Sequence, residues 1–322
     1  MPAKSKIWLG LDIGGTRLKG GIIDARNRVI AHDVELTRPR QSLRDLERQL
    51  DTLITRLTGD SSTTLAGIGA AITGPVDPNR GCVYLPGKIR GLDRHDTVPY
   101  LRRRWQVPVT ADNDGRLACL AEWRLGAGRG ANNLVVFTLG TGIGSGVVLD
   151  GRLLGDGHFL RGTQVGHMVV SLGGPRCLTG PRGTGESVAS VTALVSMVRD
   201  HLARGLPSVL AEKTPAGIGF PEIARALRCR DRLVTGLFDD WLERFATVML
   251  NAYYAYAPEL FVLAGGPMQA GRLFLGPLRS RLNTQAFRFP QNSPIPVRAA
   301  TLGGDAGWIG AALRARESFK KG

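Results

Sequence analysis

The sequence has few cysteines and no hydrophobic run long enough to cross a membrane. Its four cysteines among 322 residues are far apart and form neither a paired disulfide framework nor a CxxC redox motif. The N-terminus runs from two lysines into a short apolar stretch that Asp12 interrupts, so it lacks the features of a signal peptide. A transmembrane helix needs about 20 apolar residues, which no segment supplies. We therefore expect a cytoplasmic protein with no membrane partner.

Aromatic residues are also scarce, at 6% of the chain, although the formal net charge is +15. Such a charge suits nucleic acid, but base stacking needs aromatic side chains, and the arginines are scattered apart from the stretch "LRRRW". An excess of positive charge also suits an anionic small-molecule substrate. Binding of RNA or DNA is therefore a hypothesis that rests on net charge alone.

The order of the apolar runs predicts an α/β protein. Short runs separated by glycine between Ile7 and Ile30 are typical of antiparallel strands with tight turns. From Leu43 to Leu57, leucine and isoleucine recur at steps of three and four, which predicts an amphipathic helix. Further apolar runs indicate buried strands, and strands with helices form an α/β layer. The length suits about two domains.

The pattern of the first hairpin returns in the second half of the chain. An offset of 126 residues superposes Gly14 on Gly140 and Asp24 on Asp150, within two stretches that both predict a strand, a glycine turn and a strand. Internal duplication is the natural interpretation of this match. We expect two domains, each with one such hairpin, that meet across a ligand-binding cleft.

The first glycine turn combines groups that suit a metal-bound phosphate. In "DIGGTRLKG", Gly14 and Gly15 let backbone amides approach phosphate oxygens, which Thr16 and Lys19 can bond and neutralise. Asp12 would face Mg²⁺, directly or through water, because Mg²⁺ takes few carboxylates and keeps much of its hydration. The alternative is an ordinary hairpin turn in which glycine supplies a positive φ, and taken alone the turn favours this alternative.

The second glycine turn repeats the device in "LGTGIGSG", with Gly140, Thr141 and Gly142 at its centre. Two such hairpins at matching points of two halves predict a clamp for a polyphosphate. Gly265 and Gly266 follow another apolar strand and leave room for a base or ribose, although a plain turn is the alternative.

Asn113 and Asp114 lie where a predicted strand meets a predicted helix, in "VPVTADNDGRLACLAEW". An aspartate in the cleft can accept the proton of a substrate hydroxyl, and an asparagine beside it can orient that hydroxyl. The alternative is a helix N-cap, a role that suits both residue types and that is favoured without further context.

Six segments occur together in a recognisable order: "LGLDIGGTRLKG", "GAAITGPVD", "TADNDGRLACLAEW", "LGTGIGSGVVLDGRLLGDG", "VGHMVV" and "GGDAGWIGAAL". In order and spacing the chain resembles the ROK family of repressors, open reading frames and sugar kinases, within the actin-like ATPase superfamily. The resemblance covers essentially the whole chain. It implies a two-domain α/β fold of the ribonuclease H-like type with an interdomain cleft. The smaller domain would comprise residues 1–116 plus about 303–322, and the larger one residues 117–302 with a homodimer interface.

The resemblance also implies roles for individual residues. Asp114 matches the catalytic base and Asn113 a sugar ligand. Several residues match the surroundings of the nucleotide phosphates and Mg²⁺, namely Asp12, Gly14, Gly15, Thr16, Thr141 and Gly142. Repressor members carry an N-terminal helix-turn-helix domain, whereas this chain starts at the first strand, so we expect no DNA-binding domain.

The chain departs from the family at its structural zinc site. The family pattern is one histidine and three cysteines, of which His167 and Cys177 remain, while Thr179 and Thr184 replace the other two. Neutral hydroxyls are poor zinc ligands, so we expect no structural zinc. Glu186, which matches the terminal glutamate of the pattern, and His167 would instead receive sugar hydroxyls. The alternatives are that His167 is a buried core histidine and that Cys177 is a small apolar residue that fills space in the core.

Two further departures bear on the substrate. Gln164 replaces the family glutamate three residues before the histidine, which removes a charge and adds a hydrogen-bond donor at a sugar ligand. Lys88 aligns loosely with an asparagine that contacts the sugar, and with Arg90 nearby it favours a substrate that bears a carboxylate or phosphate.

These observations predict an ATP-dependent, Mg²⁺-dependent sugar kinase, similar to glucokinase, that phosphorylates a hydroxyl of a hexose or amino-hexose. The alternative is a catalytically weak sugar-binding or regulatory protein, which Gln164 and the lost cysteines favour. The sequence leaves open the sugar, a phosphoryl donor other than ATP, and a dimer or tetramer.

Overall fold

The computed structural model describes residues 4–37, 42–60, 62–83, 92, 95–155, 160–288 and 293–318. By its contacts the chain divides into two compact units. The first unit comprises Met1–Arg129, Leu153–Thr163 and Thr301–Gly322, and the second comprises Gly130–Arg152 and Gln164–Ala300.

Strands and helices alternate in the described residues. The strands are β1 (Ser5–Ile13), β2 (Arg17–Asp24), β3 (Val29–Leu36), β4 (Thr63–Ile72), β5 (Val76–Asp77), β6 (Cys82–Val83), β7 (Val109–Asn113), β8 (Leu134–Leu139), β9 (Ile143–Leu149), β10 (Arg152–Leu153), β11 (Leu260–Gly265) and β12 (Val297–Ala299). The α-helices are α1 (Leu43–Thr58), α2 (Thr97–Trp105), α3 (Asp114–Arg124), α4 (Gly185–Ala189), α5 (Val191–Ala203), α6 (Phe220–Arg228), α7 (Arg232–Tyr256), α8 (Arg272–Gln285) and α9 (Ala306–Ser318). Short 3-10 helices cover Val165–His167, Pro215–Gly217, Gly266–Ala270 and Gly303–Asp305.

The two main sheets have the same arrangement. One has the strand order β3-β2-β1-β4-β7 and the other β10-β9-β8-β11-β12. In each, an antiparallel hairpin (β1 with β2, β8 with β9) continues into parallel strands on its other side. The two glycine turns therefore occupy equivalent places in the two sheets, which supports the duplication that the sequence indicated.

Helix α1 covers one face of the first sheet with the predicted apolar stripe. Leu46, Leu50, Leu53 and Ile54 are fully buried in a core that they share with the strands. Leu43, which the periodicity placed on the same face, is 37% exposed. It is the first residue of the helix and directly follows the N-cap Ser42, which forms a capping box with Asp45.

The other face of this sheet carries α9 at very short range. A Cβ at Gly10 would lie 1.8 Å from the Trp308 carbonyl oxygen, and one at Gly69 would lie 1.9 Å from that of Ala311. Only glycine allows the helix backbone to approach the strands this closely. The C-terminal helix thus packs within the first unit.

Helix α3 also belongs to the first unit, whereas the sequence-based division gave residues from 117 onward to the larger domain. The reason is its close packing on α9, where a Cβ at Gly310 would lie 1.8 Å from the Leu117 carbonyl oxygen. Glu122 adds to this attachment, because its carboxylate accepts the backbone amides of Thr301 and Leu302.

The second unit has an aromatic core between its sheet and α7. Phe137 on β8 packs against Phe245 and Phe261, and Trp241 stacks on Phe245.

Among the described residues, every helix is either too short or too polar to cross a lipid bilayer.

Candidate active site

The first glycine turn (Gly14–Thr16) places Asp12 beside a lysine and a helix start. Asp12 on β1 pairs with Lys19 on β2 in the antiparallel hairpin, and Lys19 Nζ donates a hydrogen bond to the carbonyl oxygen of Gly304. A Cβ at Gly307, in the first turn of α9, would lie 2.8 Å from Asp12 Oδ2. Gly307 has no role assigned from the sequence, although its motif "GGDAGW" carried part of the family resemblance.

The carboxyl of Asp12 sits among other acidic groups. Its pKa is raised from 3.8 to about 7, mainly by burial and next by repulsion from Asp114, with a smaller increase from Asp305 and an opposing effect of Lys19. Several carboxyl groups around one point are stabilised by a cation. The donors therefore fit Mg²⁺, a hard cation that prefers oxygen ligands.

The backbone of the first glycine turn is tied to the end of β3. Gly14 donates its amide to the Arg17 carbonyl oxygen at 3.1 Å and accepts the Thr37 hydroxyl at 2.8 Å, while the Thr37 amide donates to the Thr16 carbonyl oxygen. Gly15 and Thr16 are exposed. Gly14, Gly140 and Gly142 do not have a φ in the left-handed region, so positive φ does not explain these glycines. In that respect the ordinary-hairpin alternative was wrong.

Asp114 begins α3 and is held by three neighbours. Its Oδ2 accepts the Thr73 hydroxyl at 3.0 Å, and its Oδ1 accepts the Gly115 amide at 2.8 Å and Asn113 Nδ2 at 3.0 Å. Asn113 also caps the helix, because its Oδ1 accepts the Arg116 amide at 3.1 Å. The capping alternative is therefore correct for Asn113, and the cap fixes the position of Asp114.

A buried ion pair lies beneath this junction, and the sequence analysis missed it. Arg116 Nη1 is 2.6 Å from Asp112 Oδ1, and both side chains are almost fully buried. Burial raises the pKa of Asp112, which Arg116 partly offsets. Arg116 also donates to the Arg161 carbonyl oxygen, and a Cβ at Gly155 would lie 2.4 Å from its guanidinium carbon. The sequence signal that could have indicated this pair is the spacing of four residues between Asp112 and Arg116, across the end of β7.

The second glycine turn (Gly140–Gly142) is closed by the hydrogen bond from the Gly140 amide to the Gly142 carbonyl oxygen, at 3.0 Å. Thr141 is exposed at its tip. Gly265 pairs with Leu139, next to the turn, and has a φ of +107°. A Cβ at Gly265 would lie 1.9 Å from the Leu139 carbonyl oxygen, so only glycine fits there.

The loop that matches the family zinc site lies in the second unit. A ring nitrogen of His167, Cys177 Sγ and a Glu186 oxygen lie within 4.8 Å of one another. Thr179 donates its hydroxyl to Cys177 Sγ, and the buried Thr184 caps α4 through the Ser187 amide. Because both threonine oxygens are hydroxyls that take part in such local bonds, the four family positions do not fit a closed tetrahedral zinc site.

The structure thus brings the predicted site residues into two groups, one in each unit. Asp12, the first glycine turn, Lys19, Asn113 and Asp114 belong to the first unit, and the remaining described site residues belong to the second. Gln164 lies just before the 3-10 helix Val165–His167 and is half-buried. Lys88 lies outside the described residues.

The chain belongs to the ROK family, whose sequence model matches residues 8–318. It is 29% identical over 312 residues to a glucokinase from Thermotoga maritima, a match that covers 96% of this chain and 97% of that protein. It is 30% identical over 305 residues to a kanosamine kinase from Amycolatopsis mediterranei, with 92% and 91% covered.

A solved structure agrees with these sequence matches. The ROK family glucokinase from Streptomyces griseus, in complex with glucose and AMPPNP, has a TM-score of 0.82 at 27% identity. The match covers 97% of this chain and 99% of that chain. The predicted family and its actin-like ATPase fold are therefore confirmed.

Proposed function

We propose that this protein transfers the γ-phosphoryl group of ATP to a hydroxyl of a hexose or amino-hexose. The observation that carries the proposal is the fixed carboxylate of Asp114, which Thr73, Asn113 and the Gly115 amide hold in the same unit as Asp12. The similarity to glucokinases and a kanosamine kinase over nearly the full length of both chains supports a carbohydrate kinase.

In the proposed reaction Asp114 is the catalytic base. It accepts the proton of the attacking sugar hydroxyl as the oxygen forms a bond to the γ-phosphorus of ATP. The bond from that phosphorus to the bridging oxygen breaks, and ADP leaves. The hydrogen bonds to Asp114 fix its direction, so positioning and electrostatics supply most of the rate, as is usual in phosphoryl transfer.

The nucleotide is proposed to contact both glycine turns. Backbone amides of Gly14–Thr16 and Gly140–Gly142 would bond the phosphates, Lys19 would add positive charge, and Gly265 with Gly266 would face the ribose or base. Asp12 would hold Mg²⁺, directly or through water. When bound, Mg²⁺ neutralises charge on the transferring oxygens.

The sugar is proposed to bind Asn113, Gln164, His167 and Glu186, with Lys88 as a further ligand. Glutamine at 164 donates as well as accepts hydrogen bonds, so we expect a different preference among sugars from that of enzymes with glutamate there.

We further propose that the protein is a cytoplasmic homodimer without structural zinc, whose loop at 166–190 keeps its shape through hydrogen bonds alone.

The test is ADP release from ATP and Mg²⁺ with a panel of hexoses, N-acetylated amino-sugars and sugar acids. We expect saturable turnover with a hexose or an amino-hexose. A folded protein that binds AMPPNP and the sugar but shows no turnover across the panel would contradict the kinase and favour the sugar-binding alternative. Preference for a sugar acid would support the interpretation of Lys88.

A further inference from the structure

The carboxylate of Glu186 contacts the second glycine turn and the loop of predicted sugar ligands at the same time. Its Oε2 accepts the Ile143 amide at 3.1 Å, directly after the turn. Its Oε1 lies 4.0 Å from His167 Nε2 and 3.8 Å from Cys177 Sγ. One side chain, 43 residues after Ile143 in the sequence, therefore joins two parts of the proposed site.

The turn is shaped to accept this carboxylate. A Cβ at Gly142 would lie 2.1 Å from Glu186 Oε2, so any larger residue there would displace the carboxylate. On the other side of the turn, the Val191 amide at the start of α5 donates to the Gly140 carbonyl oxygen at 3.1 Å. The segment from Glu186 to Val191 thus bonds to both ends of the turn.

We propose that Glu186 is a positioning residue that fixes the second glycine turn for the nucleotide, independently of any bond that it makes to the sugar. This inference rests on the proposed function of that turn. A bond from a backbone amide to a carboxylate belongs to the stronger class of hydrogen bonds. The turn has one internal backbone bond at its neck, so the external bonds at 140 and 143 restrict the amides at its tip.

The proposal predicts that Glu186 affects nucleotide affinity even when no sugar is present. A residue that only binds sugar would not have this effect. Because the other oxygen faces His167, a sugar bound there also shifts the carboxylate, so nucleotide and sugar affinities are coupled through Glu186.

The experiment is calorimetric titration of the full-length protein with AMPPNP and Mg²⁺, first without sugar and then with a saturating sugar from the panel. We expect Glu186→Ala to raise the Kd for AMPPNP without sugar about tenfold, as for one lost charge-assisted hydrogen bond. Glu186→Gln should have a smaller effect, because the amide oxygen can still accept the Ile143 amide. Glu243→Ala, at an exposed carboxylate of α7 outside the proposed site, serves as the control that keeps the wild-type Kd.

Three outcomes would overturn the proposal. An unchanged Kd in Glu186→Ala with a raised KM for sugar would leave Glu186 a sugar ligand only. Tighter AMPPNP binding in Glu186→Ala would show that the carboxylate repels the phosphates. A wild-type protein that does not bind AMPPNP would contradict the proposed function itself, and with it this inference. Circular dichroism of each variant is the control for folding.

Discussion

At the scale of single residues, the site depends on how the protein restrains its carboxyl groups. Asp114 accepts hydrogen bonds from Thr73, Asn113 and the Gly115 amide, which suit a base that must point at one hydroxyl. Asp12 is surrounded by Asp114, Asp305 and Lys19, and its raised pKa of about 7 follows mainly from burial. The same type of side chain thus has a different environment at each position, which suits the proposed proton transfer at Asp114 and the proposed cation at Asp12.

Asp12 should make the stability of the metal-free protein depend on pH. A folded pKa of about 7 lies above the ordinary 3.8, so the fold favours the protonated carboxyl, and its stability falls as the pH rises from about 4 to about 7. Asparagine cannot ionise. The free energy of unfolding of Asp12→Asn, relative to that of wild type, should therefore rise by at least about 1 kcal/mol from pH 5 to pH 8.

The measurement is urea unfolding in EDTA at the two pH values. Asp200→Asn, on the exposed side of α5, is the control for a general effect of charge removal. A difference in unfolding free energy between wild type and Asp12→Asn that is the same at pH 5 and pH 8 would disagree with the pKa shift.

At the scale of secondary-structure elements, close backbone packing holds together the strands and the helix around the predicted site residues of the first unit. Helix α9 lies on β1 and β4 through Gly10 and Gly69, and its first turn comes close to Asp12 through Gly307. A change in this packing would move the helix start away from the carboxyl. We expect the strands and α9 to be intolerant of any side chain at these glycines.

Gly10→Ala should lower the free energy of unfolding by more than about 2 kcal/mol, because the new Cβ meets a backbone carbonyl that cannot move aside. Gly236→Ala is the matched control, since Gly236 is exposed within α7 and its Cβ would meet nothing within 4 Å. The free energy of unfolding of Gly236→Ala should rise by about 0.5–1 kcal/mol, because alanine has the higher helix propensity. Equal stability of the two variants in urea unfolding would refute the packing argument.

The loop between the 3-10 helix Val165–His167 and α4 should keep its structure without metal. We expect purified wild-type protein to contain far less than one zinc per chain by mass spectrometry, and its Tm to be unaffected by EDTA. The double variant Thr179→Cys with Thr184→Cys restores the family donor set and should bind zinc, with a Tm that EDTA lowers. Stoichiometric zinc in the wild type would contradict the proposal.

The sequence predicts those elements whose signals are local. Glycine between short apolar runs identified both hairpins, and the leucine periodicity identified α1, apart from the exposed Leu43. Thr73 and Gly307 were not assigned roles, because they lie close to Asp114 and Asp12 from segments far away in the sequence. Arg116 is only four residues from Asp112, but the sequence does not show that both side chains are buried. The reason for Gly142 was also missed, since it is the close approach of Glu186 and not a positive φ.

At the scale of the whole molecule, two sheets of the same topology each provide one glycine turn. The duplication explains why the glycine turn, proposed to bind phosphate, occurs twice, while the residues proposed for proton transfer occur in the first unit alone. The net charge of +15 suits an anionic nucleotide and does not require nucleic acid as a partner. The account as a whole depends on one carboxylate that takes a proton from a sugar.

The most direct test is therefore kcat for ADP release with the preferred sugar in wild type and in Asp114→Asn. Asparagine keeps the size, and its amide oxygen can still accept the Gly115 amide while its amide nitrogen donates to the Thr73 hydroxyl, so the fold and the affinity for AMPPNP should persist. The account predicts a loss of kcat of about 100-fold or more, with Asp200→Asn unchanged. An Asp114→Asn variant with near wild-type kcat would contradict the account.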